Sequence, residues 1–148
     1  AVFGQRGIDR DDPDWFAAFV LDHILGGGSF ESRLMDEVRE RRGLTYGIGT
    51  GLVPLDYGAT WVGSVASSNE TVAEAIAVTR DIWAEVAANG VTEAELAAAK
   101  TFLTGEYPLR FDGNAPIARI LVAMQMLGLP TSYVTERNAL VEAVTVED

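Results

Sequence analysis

Cysteine is absent from the 148 residues, and histidine and lysine occur once each, at His23 and Lys100. Without a thiol there is no disulfide, no zinc–thiolate site and no cysteine nucleophile. A cysteine-free chain suits a reducing and an oxidising compartment equally. One imidazole falls short of a peptidase zinc site, which takes two or three histidines or a histidine pair with a carboxylate. Neither H-E-x-x-H nor H-x-x-E-H occurs, so no metal ligand set is predicted in this chain. A Ser-His-Asp triad would have to use His23, in mid-helix with apolar neighbours, where a partly buried helix residue is expected.

Basic residues are scarce as well: 11 Lys and Arg stand against 22 Asp and Glu, a net charge of -11. Phosphate binding needs clustered cations, so a nucleic-acid partner is not expected. Long apolar runs are missing too. The longest, residues 117–129, holds Arg119 and Gln125 and is too short to span a bilayer. Gly26-Gly27-Gly28-Ser29 resembles a phosphate loop in glycine content only. The G-x-x-x-x-G-K-[ST] spacing and its lysine are absent, and a joint between two helices is the simpler reading.

What remains suits a globular fold: 48% hydrophobic and 22% charged residues in a length typical of one domain, taken as residues 1–148. No signal peptide opens the chain. Ala1-Val2-Phe3 reads as a strand already under way, and Thr145 with an acid three residues on reads as a helix start. A piece of a longer polypeptide is therefore expected.

Residues 1–8 read as a strand. Phe16, Phe19, Val20 and Ile24 recur at helical spacing over 15–25, and the glycines after Leu25 end that helix. Ser29 can cap a second helix over 30–42, with Phe30, Leu34 and Val38 as its buried stripe. Gly43 stops it. From Leu44 to Val53 the chain alternates, with Leu44, Tyr46, Ile48 and Leu52 on one face. Gly47, Gly49 and Gly51 lie on the other, which predicts a close approach to that backbone. A turn at 54–56 leads to a hairpin partner over 57–66. Helices follow. One is capped by Asn69, with Val72, Ile76, Trp83 and Val86 inside. A second starts at a Thr92/Glu95 capping box. A third is capped by Asn114, with Ile120, Leu121, Met124 and Leu127 inside, and a last one runs near 133–144. This order predicts an α+β domain, helices packed on one face of a mostly antiparallel sheet. Three strands are few, so a fourth is expected unrecognised or outside the chain.

The densest pattern is Phe30 to Tyr46. By charge alone it is a solvated helix face in which Arg33, Arg39, Arg41 and Arg42 offset Glu31, Asp36, Glu37 and Glu40, with Glu37 and Arg41 spaced for a surface pair. In order, however, Leu25-Gly26-Gly27, Ser32-Arg33-Leu34-Met35 and Glu37-Val38-Arg39-Glu40-Arg41-Arg42-Gly43-Leu44-Thr45-Tyr46 resemble the second-domain signature of the insulinase (pitrilysin) type of zinc metallopeptidase. Trp61-Val62-Gly63, Thr92-x-x-Glu95-Leu96, Lys100 and Tyr107-Pro108-Leu109-Arg110-Phe111 extend the similarity over most of the chain.

The resemblance implies a metallohydrolase domain of the mitochondrial-processing-peptidase-like type, non-catalytic when isolated. Such domains form part of a chamber around a peptide substrate. Zinc is held by a companion domain or subunit, with no cofactor in this domain. Arg39 and Tyr46 match the family's Arg–Tyr pair, which implies contacts to substrate or to the transition state. A tyrosine hydroxyl or an arginine suits a developing oxyanion, and a guanidinium fork suits a carbonyl or carboxylate. Two alternatives stay open: an ordinary core tyrosine at position 46, and an inactive relative acting in assembly or peptide binding. Bacterial relatives are often exported, so a periplasmic location is a family analogy.

Overall fold

Alternating small and apolar residues in the first half of the chain build an antiparallel sheet, which the helices of the second half cover. The computed structural model describes residues 1–28, 30–55 and 57–148; the predicted Ser29 cap, and Asp56 of the predicted turn, lie outside the described residues. Strands β1 (Val2–Arg6), β2 (Gly47–Val53) and β3 (Thr60–Ala66) pair in the order β1-β3-β2. Phe3 lies opposite Gly63, and Ile48 opposite Val65.

With that register Phe3, Ile48, Trp61 and Val65 share one face. Over it lie helix α2 (Val72–Asn89) and the segment leading to the sheet; Trp83 of α2 packs edge-on to Phe3 and against Trp61. Leu25, Leu34, Val38, Leu44, Ile48 and Val65 join Val78 and Ile82 in this core. The opposite face carries Val2, Gly4, Val62, Ser64 and the β2 glycines, and both Val2 and Ser64 are exposed. A second core lies between helices α1 (Trp15–Leu25), α3 (Glu93–Glu106) and α5 (Tyr133–Ala143), built on Val20, Ile24, Leu96, Leu103 and Val141. The fold is α+β with helices on one face of an antiparallel sheet, as predicted; among the described residues the sheet has three strands.

Several local expectations hold. Helix α1 has the predicted bounds. Thr92 and Glu95 form the reciprocal capping box of α3. The Thr145 N–H donates to the Asp148 carboxylate at 2.8 Å, as its capping pattern suggested. The close approach to the glycine face is confined to one position: a Cβ on Gly49 would meet the Gly26 carbonyl at 3.2 Å, whereas Gly47 and Gly51 are open.

Others are corrected. The predicted helix over 30–42 begins only at residue 33, and Met35–Arg41 is wound as a π-helix. Phe30 precedes the first turn, so no helical periodicity stacks it over Leu34, and it is 69% exposed. The strand predicted from Leu44 begins at Gly47, which removes Tyr46 from the alternation. Helix α2 has Thr71 at its N-cap, not Asn69, and buries Ala75, Val78, Thr79, Ile82 and Val86, while Ile76 is 36% exposed. Helix α4 (Asn114–Met126) follows Gly113, and Asn114 is its first residue. Of its predicted stripe only Met124 is buried; Leu121 and Leu127 remain 41% and 47% exposed.

The candidate Arg39–Tyr46 site

The two side chains singled out by the sequence flank one reversal of the chain. Arg39 lies in the last turn of the π-helix, a winding often found at functional sites. The N–H of Gly43 donates to the Arg39 carbonyl, and that of Leu44 to the Val38 carbonyl, both at 2.9 Å. Gly43 takes φ +62°, a conformation that a side chain would strain. Leu44 then drops into the core.

Thr45 decides where Tyr46 goes. Its buried hydroxyl accepts from the Gly47 N–H at 3.0 Å and donates to the Ala66 carbonyl across the sheet. That turn closes before the β-ladder starts, and Tyr46 stands outside it, 94% exposed and without a hydrogen bond to the described residues. The core-tyrosine reading is thereby excluded.

Arg39 is more enclosed, with a side chain 31% exposed; its Nε lies 3.3 Å from the Glu40 carboxylate, and its guanidinium carbon 5.0 Å from the centre of the Phe30 ring. Phe30 is the one contact of this site that sequence reasoning misplaced, because the stripe pattern assigned it to the core.

The remaining signature residues have structural work. Leu34 and Val38 are fully buried. Arg33, read from charge as part of a solvated face, forks onto Glu95 through Nε (2.6 Å) and Nη2 (2.8 Å), tying the signature segment to the α3 cap. Glu37 pairs with Arg41 as predicted and also with Arg42. The Trp61 indole N–H and the Thr50 hydroxyl donate to the buried Asp22 carboxylate at 2.5 and 2.7 Å, anchoring α1 to the sheet. Burial raises the Asp22 pKa. Sequence reasoning missed this anchor, since a lone Asp in a helix gives no sign of partners 28 and 39 residues away. Lys100 donates to the Glu142 carbonyl at 2.8 Å and so ties α3 to α5.

The Arg33 fork and the Thr92 cap hold the Glu95 carboxyl at about 2, down from 4.5. A folded-state pKa below the unfolded one adds stability that is complete above about pH 4.5 and lost as pH falls through about 2. Glu95→Gln should therefore cost about 2 kcal/mol at neutral pH, the scale of a charge-assisted hydrogen-bonded pair. The deficit should shrink toward zero in acid. Urea denaturation of both proteins between pH 7 and 2.5 checks this; a pH-independent difference would contradict it.

Among the described residues no three His, Cys, Asp or Glu side chains are gathered to hold a metal ion. His23 stacks on Phe102 with ring centres 4.9 Å apart, and burial pushes its pKa down. Metal analysis after dialysis against a weak chelator should find well under one zinc per chain. One tightly held zinc, lost in His23→Ala, would contradict this.

An open groove of about 980 Å³ lies between Arg6, Arg10, Tyr57 and Met126 and includes neither Arg39 nor Tyr46.

Known proteins resemble this one along nearly its whole length. The family model described as the peptidase M16 inactive domain matches residues 1–103. An uncharacterized zinc protease of Mycobacterium tuberculosis is 37% identical over 147 residues, 96% of this chain and 33% of the relative. A non-peptidase homolog from Helicobacter pylori is 32% identical over 116 residues, 77% of this chain and 26% of the relative. The crystal structure of a peptidase M16 inactive domain from Pseudomonas fluorescens superposes with a TM-score of 0.87 at 39% identity, covering 99% of this chain and 34% of that one. The chain thus spans between about a quarter and a third of the length of these relatives. Through its sequence match, its identity to these relatives and its fold, the chain belongs to the peptidase M16 inactive-domain family.

Proposed function

We propose that this domain forms part of the substrate chamber of an M16 zinc peptidase and presents Arg39 and Tyr46 to a peptide. Zinc, held by a companion domain or subunit and by no residue of this domain, would supply the attacking hydroxide and polarise the scissile carbonyl. The Tyr46 hydroxyl donates to the oxygen that becomes an oxyanion, and the Arg39 fork holds a neighbouring carbonyl or carboxylate of the peptide.

One observation carries this reading. Around the reversal, Leu34, Val38 and Leu44 are core residues, Arg33 clamps the α3 cap, and Thr45 fixes the turn. Tyr46 does none of this: an aromatic side chain 94% exposed, seven residues along the chain from Arg39, makes no contribution to the core. Exposed apolar residues elsewhere, Leu109, Val122 and Met126 among them, suit a chain whose other faces meet further domains.

The companion's identity is tested by reading the rest of the polypeptide and its neighbouring gene for H-x-x-E-H. The pair's role is tested by assaying the assembled protein on unstructured peptides with Arg39→Ala. We expect cleavage by the assembly, none by the isolated domain, and a raised KM in the variant. Full activity of the variant would refute the proposed role of Arg39. The non-peptidase name of the Helicobacter pylori relative favours one alternative, a peptide-binding or assembly module without activity. Absence of H-x-x-E-H from both places would select it.

A further inference from the structure

We propose that Phe30 is a positioning residue for Arg39, holding the guanidinium ready for the peptide; this rests on the reading of Arg39 as a substrate contact.

A phenylalanine that is 69% exposed at the lip of a helix adds little to the core. The contact that accounts for it is the Arg39 guanidinium, 5.0 Å from its ring centre. A cation over an aromatic face is attracted by the ring quadrupole. The Arg39 Nε meets Glu40 at 3.3 Å, and no other partner of the guanidinium occurs among the described residues. The ring thus lies against the guanidinium carbon and the carboxylate against Nε, with no hydrogen bond from the terminal nitrogens to the described residues. An arginine held this way loses less side-chain freedom on binding than one that samples solvent. The π-helix carries Arg39 and the preceding turn carries Phe30, so one segment supplies both partners.

The test uses the complete protein with its zinc-bearing companion. Phe30→Leu should lower kcat/KM about two- to five-fold, the range of one exposed cation–π contact, mainly through KM. The melting temperature should not move, and Phe30→Trp should retain wild-type values. In an Arg39→Ala background Phe30→Leu should add nothing. In NMR spectra of this domain, Phe30→Leu should move the Arg39 Hε resonance downfield as the ring current is lost. Wild-type kinetics in Phe30→Leu beside a clear loss in Arg39→Ala would overturn the proposal and leave the Arg39 reading intact. Additive losses, no rescue by Trp, or an unmoved Arg39 resonance would also overturn it. Wild-type activity in Arg39→Ala would remove the Arg39 reading itself.

Discussion

On the proposed reading, Tyr46→Phe in the assembled protein should lower kcat by about a hundred- to a thousand-fold, the range for losing one oxyanion donor, with little change in KM. A hydroxyl that donates to a developing oxyanion is felt mainly in the transition state, so its removal appears in kcat. Stability supplies the control. Tyr46 is 94% exposed and makes no hydrogen bond to the described residues, so unfolding of the variant should match wild type. A kcat within two-fold of wild type, the margin within which one such donor is not resolved, would contradict the assignment. A loss of activity accompanied by unfolding would move Tyr46 from chemistry to structure.

The second large effect is structural. Leu34→Ala should destabilise the domain by about 3–5 kcal/mol, the cost of a cavity at a fully buried leucine. Leu34 is 0% exposed and packs where the signature segment meets the sheet core. A Cβ on Gly26 would come within 2.9 Å of its Cδ1, so the glycine joint and this leucine are fitted to each other. Denaturant titration checks the figure. A loss below about 1 kcal/mol, smaller than core truncations of this kind give, would show that the segment is held by its ion pairs and not by packing. The Arg33–Glu95 clamp makes that comparison informative, since it is the principal polar tie from the same segment to α3.

Much of the architecture was legible because local chemistry and tertiary packing agree. Helix α1 ends at glycines, and α3 starts at a capping box. These are short-range signals that the fold does not override. The site was half legible. The ordered motif singles out Arg39 and Tyr46 as the proposed pair, but the alternation rule placed Tyr46 in a strand beside Ile48. The hydroxyl of Thr45 overrides that rule by bonding to Gly47 and Ala66, and the second of these partners lies 21 residues along the chain. Periodicity carries no such information. Phe30 was misplaced for a related reason: its spacing to Leu34 and Val38 is helical, yet the helix begins after it. Asp22 and Arg33 were missed or read as surface charge, because their partners Thr50, Trp61 and Glu95 are distant in sequence.

The central claim is that Tyr46 and Arg39 meet a peptide whose scissile bond sits on zinc held elsewhere. The most direct measurement is a structure of the complete protein, with its zinc-bearing companion, bound to a non-hydrolysable peptide. The account predicts the Tyr46 hydroxyl within about 3 Å of the carbonyl oxygen at the zinc, with the Arg39 fork on an adjoining carbonyl or carboxylate. A peptide seated at the zinc with Tyr46 and Arg39 both turned to bulk solvent would contradict it.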